Sequence, residues 1–228
     1  METVPLYVGL LFGITTLLTI GIFYSASSYS NKSLASLIAW LILHAMLGLS
    51  GFYEVTTDMP PRLMIFVSFT FLLIIVLFIR SSGKQYIDSL DISKLSLLHI
   101  VRIPVEFVLY LLYVHHAVPE LMTFAGRNFD ILSGISAPFI FYYGFKKKIL
   151  KLKLILIWNF ICLGLLINIV MHAVLSAPFP FQQLAFDQPN IAILYFPFIW
   201  LPTCVVPIVL FSHLASIRQL LTSNYAKK

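Results

Sequence analysis

Residues 95–118 read LSLLHIVRIPVEFVLYLLYVHHAV, an apolar stretch carrying His99, Arg102, Glu106, Tyr110, Tyr113 and His116, with Glu120 just beyond it. Steps of three or four residues put these polar groups on one face of one helix. The rest of the stretch is long and apolar enough to span a membrane, and ionisable groups inside such a segment mark function or a buried pair. The spacing predicts that the face bearing Arg102, Glu106, Tyr110 and Tyr113 points into a bundle, because exposing two ionisable groups to acyl chains would cost several kcal/mol.

The same character holds for the whole chain. Hydrophobic residues make up 60% of the 228, and Asp, Glu, Lys and Arg 11%, against about 45–50% and 25% in soluble domains. A water-facing surface cannot be built from that composition, so the reading is an all-α, polytopic integral membrane protein. Apolar runs at 4–24, 33–53, 63–79, 95–118, 131–145, 154–177 and 195–221 predict seven transmembrane helices in a single domain over 1–228. The fifth run is short, and either 121–126 extends it as a kinked or re-entrant piece or it crosses where the bilayer is thin.

Of the 15 Lys and Arg residues, twelve fall in one set of connections and termini, two (Arg62 and Arg127) in the opposite set, and Arg102 inside the fourth run. Positive charge is retained on the cytoplasmic side, which places the N terminus outside and the C terminus in the cytoplasm of a cell (plasma or inner) membrane. The leader Met1-Glu2-Thr3 has no basic region, so the first run reads as an uncleaved span. The net charge of +6 sits in short connections where topology and anionic headgroups account for it, so nucleic acid is excluded as a partner and membrane lipids are expected. Cys162 and Cys204 lie within apolar runs and imply no disulfide framework. Asp88 or Asp91 is placed to cap the fourth helix, Asp130 to cap the fifth, and residues 179–186 form an amphiphilic stretch at the outer face.

At about 1.5 Å per residue, Glu106 lies roughly 18 Å from its anchor Lys94 and His44 equally far from Lys32, both near mid-membrane. Arg102 and Glu106 are spaced i,i+4 and are expected to pair along the helix, either to fix packing or to form a proton-accepting or cation-binding group tuned by the arginine. Farther out, His116, His172 and Glu120 form an N/O set suited to a divalent metal, although no recognised ligand spacing is present. These three, with His44 from below and Arg127 and Asp130 from the adjacent loop, are expected to border one polar cavity opening outward, with Arg127 pairing with Glu120 or Asp130. The face of the second run that holds Ser36, Trp40, His44, Gly48 and Gly51 is expected to pack closely on a neighbour. Pro197, Pro202 and Pro207 interrupt the last run and free carbonyls there.

Three classes of function fit. The leading one is a protein that binds and transports a small solute or ion, proton-coupled through the Arg102/Glu106 pair. The second is a membrane-embedded, metal-dependent enzyme acting on a lipid or other hydrophobic substrate. The third is a structural or sensory subunit without chemistry of its own. Retinal is excluded as a cofactor, because its Schiff base needs a lysine in the last helix and 195–221 has none.

Overall fold

The computed structural model describes residues 4–222, which are helices and connecting turns with no strand among them. Six helical segments are long and apolar enough to cross a membrane: Leu6–Ala26, Asn31–Leu49, Arg62–Ile79, Ile92–Val114, Leu152–Ser176 and Leu201–Leu221. The chain is therefore consistent with a helical membrane protein. Its helices are α1 (Leu6–Ala26), α2 (Asn31–Leu49), α3 (Arg62–Ile79), α4 (Ser81–Ser89), α5 (Ile92–Leu98), α6 (Arg102–Val114), α7 (Ile131–Phe139), α8 (Leu152–Ser176) and α9 (Val206–Leu221).

Side-chain polarity runs opposite to that of a soluble bundle. On α1 the outward stripe is Leu6, Leu10, Ile14 and Leu17, all exposed, while Thr15, Thr16 and Thr19 are buried. Each buried threonine returns its hydroxyl to a carbonyl one turn back, at 2.8 to 3.0 Å, so no donor is left bare against apolar neighbours. The centre of the bundle is the fourth segment, 61% buried, and the last, 67%, against which α1 and α8 pack. α2 and α3, 17% and 11% buried, lie at the periphery.

Prolines and caps set the interruptions. Pro104 cannot donate to the carbonyl of Ile100, and the fourth segment tightens just before it into a 3₁₀ turn at His99–Val101 that joins α5 to α6. The segment opens at Asp91, whose carboxylate accepts from the backbone N–H groups of Ser93 (2.9 Å) and Lys94 (3.3 Å), one of the two caps expected. Asp88 instead pairs with Arg218 at the end of α9. Pro138 in α7 leads into a π-helical stretch, Ile140–Lys146, so the fifth run is one continuous helical segment of 9 and then 7 residues. Pro202 opens a second π stretch, Leu201–Val205. Pro207 leaves the carbonyl of Thr203 without its helical donor, and the indole of Trp40 takes it at 2.9 Å. Trp200 donates in return to the carbonyl of Leu41 at 3.0 Å, clamping α2 to the last segment. The small-residue face of α2 packs as its composition implied: a Cβ on Gly48 would meet Ile199 at 3.3 Å.

Four boundaries depart from the sequence reading. The fourth helix stops at Val114 rather than 118, because the chain turns through a left-handed His116 (φ 57°). The last helical segment begins at 200–201, residues 195–199 being a bend and turns around Pro197. Residues 121–126 do not extend the fifth helix; Glu120–Met122 is a single 3₁₀ turn. The 80–94 connection holds a helix of its own, α4, folded so tightly on α3 that a Cβ on Gly83 would come within 2.2 Å of the Leu77 carbonyl. The Met1-Glu2-Thr3 leader, Lys227 and Lys228 lie outside the described residues.

Candidate functional site

Arg102 is buried at the junction of the 3₁₀ turn and α6, and both terminal nitrogens of its guanidinium are engaged. One Nη donates to Asp130 Oδ1 at 2.6 Å and to the Cys162 carbonyl at 3.3 Å; the other donates to His213 Nε2 at 2.9 Å. A guanidinium has no acceptor, so His213 Nε2 must carry the lone pair and its proton must sit on Nδ1. That nitrogen donates to Asn159 Oδ1 at 3.0 Å, and Asn159 Nδ2 donates to the Ile155 carbonyl at 3.0 Å. His213 is therefore a neutral imidazole of defined tautomer. His99 stacks on it, rings 3.7 Å apart and 13° from parallel, with Trp158 edge-on to His99.

One turn above Arg102, Glu106 accepts a hydrogen bond from Asn128 Nδ2 through Oε1. Asn128 also donates to the Met122 carbonyl at 3.0 Å and accepts from the Asp130 N–H at 3.0 Å, so a single amide fixes the loop that delivers both itself and Asp130 to the α6 face. Among the described residues, Glu106 Oε2, Arg102 Nε and both ring nitrogens of His99 are buried without a partner. Arg102 and Asp130 cancel one another, His213 is neutral, and His99 has no acceptor to support a positive ring. An ionised Glu106 would leave the cluster one negative charge in excess.

The predicted direct pairing of Arg102 with Glu106 is thus corrected. Asp130 reaches the end of the guanidinium from the facing loop, a better geometry than two side chains lying along one helix, and Asn128 occupies Glu106 from another side. For the same reason Asp130 stands at the N-cap position of α7 without capping it. Glu106 and Asp130 lie at the wall of an otherwise apolar cleft bordered by α3, α6, α8 and the 201–206 segment, with a cavity volume of about 90 Å³.

The remaining sequence candidates lie elsewhere. Arg102 and Glu106 do face inward, but Tyr110 is exposed, because four-residue steps drift around a helix of 3.6 residues per turn. Tyr113 lines a separate polar groove with Glu120, Arg127, Asp187 and Gln188. Arg127 forms no ion pair with Glu120 or Asp130 among the described residues. His116, beyond the helix end, pairs with Gln188 Oε1 at 3.0 Å; Gln188 also donates to the carbonyls of Tyr113 and Val118 and so ties the 177–195 connection to α6. His172 donates from Nδ1 to the Asn168 carbonyl at 2.8 Å on its own helix. His44 lies in an aromatic box, bonded to the Tyr53 hydroxyl at 2.7 Å beside Trp40 and Phe66. Burial pushes the Tyr53 phenol well up, so it stays protonated.

The single outer cavity is therefore not assembled. No group of three or more His, Cys, Asp and Glu side chains among the described residues is placed to hold a metal, so the His116, His172 and Glu120 set does not converge. Sequence reasoning missed Asn128, Asn159 and the role of His213. The first two are polar side chains at positions nothing in the linear pattern joins to α6, and His213 was visible only as a lone histidine five residues from Arg218.

A family model described as a domain of unknown function (DUF8737) matches residues 59–221. No curated protein and no solved structure matches the chain.

Proposed function

The chain belongs to the DUF8737 family of domains of unknown function, and from that premise we propose that it is a seven-span membrane protein that binds and transports a small solute or ion, exchanging it for a proton at Glu106. The observation that carries this reading is the free, buried Oε2 of Glu106, in a cluster whose other charges cancel, at the wall of a cleft. A buried net charge in an apolar surround is costly, so the carboxyl is held either by a proton or by a cation, and each displaces the other. Arg102 and Asp130 supply a fixed, mutually neutralised frame; Asn128 orients the carboxyl. The metal-dependent alternative draws no support from this geometry.

The test is thermal unfolding of the purified protein with a panel of alkali cations, small amines and quaternary ammonium ions. A compound present at 100 times its Kd stabilises by about 2.7 kcal/mol. At least one member should raise the midpoint of the wild type and leave Glu106→Gln unmoved, and should then drive proton counterflow in proteoliposomes. Stabilisation of equal size in both proteins by every active compound would refute the assignment.

The orientation proposed is N terminus outside and C terminus cytoplasmic. The ion pair between Arg218 and Asp88 (3.0 Å) supports the crossing of the fifth segment, since an even number of passages must separate α4 from the end of α9. Crossing also keeps the lysines at 146–153 on the side of Lys32, Lys84 and Lys94. A reporter enzyme active only outside the cytoplasm, fused after Lys228, should give no signal. Full activity there would reverse the topology.

A further inference from the structure

The cleft that holds Glu106 is lined by residues of α3, α6, α8 and the 201–206 segment, all of them within the long apolar stretches, together with residues of the adjoining connections. α3 and α8 both contribute to its lining without packing extensively on one another, and apart from Glu106 and Asp130 every lining side chain is apolar. α3 is the most exposed of the six long apolar segments, and Ile65, Phe69 and Leu72 on its outer side are open to the surroundings. A polar solute arriving from water would have to cross this lining unaccompanied by any donor or acceptor. An acyl or alkyl chain, in contrast, loses nothing on moving from the bilayer into it. Among the fully buried polar atoms described at its wall, Glu106 Oε2 is an acceptor without a partner, in a cluster short of one positive charge.

We propose that the ligand is a cationic amphiphile, a single long apolar chain with a positively charged head, which enters sideways from the bilayer between α3 and α8 and places its head against Glu106. This rests on the reading of Glu106 as the recognition group and adds the class of ligand and its route. The apolar chain is matched by Val67 on α3 and by Val170 and Ala173 on α8. The head neutralises the carboxyl, while the charge of Asp130 is already balanced by Arg102 at 2.6 Å.

The experiment is carbodiimide modification of Glu106 in nanodiscs of neutral lipid, followed by mass spectrometry of the peptide, with Glu106→Gln as the control for site assignment. The lipid-soluble dicyclohexylcarbodiimide should label Glu106 at least tenfold faster than a water-soluble carbodiimide. Dodecyltrimethylammonium should slow that labelling at least tenfold; tetramethylammonium and dodecyl sulfate at the same concentration should not. Ala173→Phe, which narrows the cleft from α8, should slow labelling by the lipid-soluble reagent, and Val67→Phe makes the same test from α3 should the first variant misfold. Equal or faster labelling by the water-soluble reagent would overturn the lateral route while leaving Glu106 as a recognition group. Equal protection by dodecyl sulfate would overturn the cationic head. If Glu106 resists both reagents and no cation distinguishes wild type from Glu106→Gln in thermal unfolding, the underlying reading of Glu106 falls as well.

Discussion

Replacing Arg102 with methionine is expected to destabilise the protein by about 3–5 kcal/mol, the cost of removing one partner from a buried ion pair. The side chain is 3% exposed and satisfies three acceptors on three different parts of the chain: Asp130, the Cys162 carbonyl and His213 Nε2. Without it, Asp130 and Glu106 confront one another as two acids in an apolar interior, and His213 loses the donor that fixes its tautomer. The comparison that isolates charge from packing is the triple variant Arg102→Met, Asp130→Asn, Glu106→Gln. Because the penalty comes from uncompensated charge, the triple variant should recover at least half of the loss, measured by denaturation in mixed micelles. A single-variant loss below about 1 kcal/mol, or a triple variant no more stable than the single, would show that the cluster is not held together by charge. Arg102→Lys should fall between, since an ammonium cannot fork to Asp130 and His213 at once.

That the cluster exists at all was half legible. Two ionisable groups at i,i+4 in an otherwise apolar run must face inward, and Arg102 and Glu106 do, at 3% and 2% exposure. Length and composition likewise placed five of the six long segments to within a few residues, and started the last one too early, at 195 rather than 201. What the linear pattern could not carry was partnership. The i,i+4 rule describes an isolated helix, where the nearest opposite charge is on the same face; in the folded chain Asp130, 28 residues away, reaches Arg102 first. Periodicity also presumes that the helix continues. The ladder from Tyr113 to His116 and Glu120 breaks because the chain leaves the helix at Val114, and a turn makes three-residue spacing meaningless as a measure of direction. The outer metal set failed for this reason, and for another: His172 and His116 each have a local partner, Asn168 and Gln188, that a reading of charges alone does not weigh. Asn128 shows the opposite limit. An asparagine in a polar loop is ordinary, and only the loop's return onto α6 turns its amide into the group that orients Glu106.

Gly134 on α7 supports the same cluster through backbone approach, and Gly134→Leu is expected to cost about 1–3 kcal/mol through overpacking alone. A Cβ there would stand 2.8 Å from Ile103 Cγ1, 3.1 Å from the Ile103 backbone nitrogen and 3.3 Å from Arg102 Cβ. The first of these contacts can yield by turning the isoleucine side chain; the other two belong to the start of α6 and cannot move without it. A leucine must therefore push α7 away from the His99–Val101 turn, and Asp130 immediately precedes α7. Separation of Asp130 from Arg102 would add the loss of the ion pair to the steric term. The two substitutions should then share a cost: Gly134→Leu combined with Arg102→Met should be less destabilising than the sum of the two alone by 1 kcal/mol or more, a coupling of the size seen for residues in one network. Gly134→Ala, small enough for the isoleucine to accommodate, should lose far less. Strict additivity of the leucine variant with Arg102→Met would mean that α7 yields without disturbing Asp130, and that the glycine serves packing only.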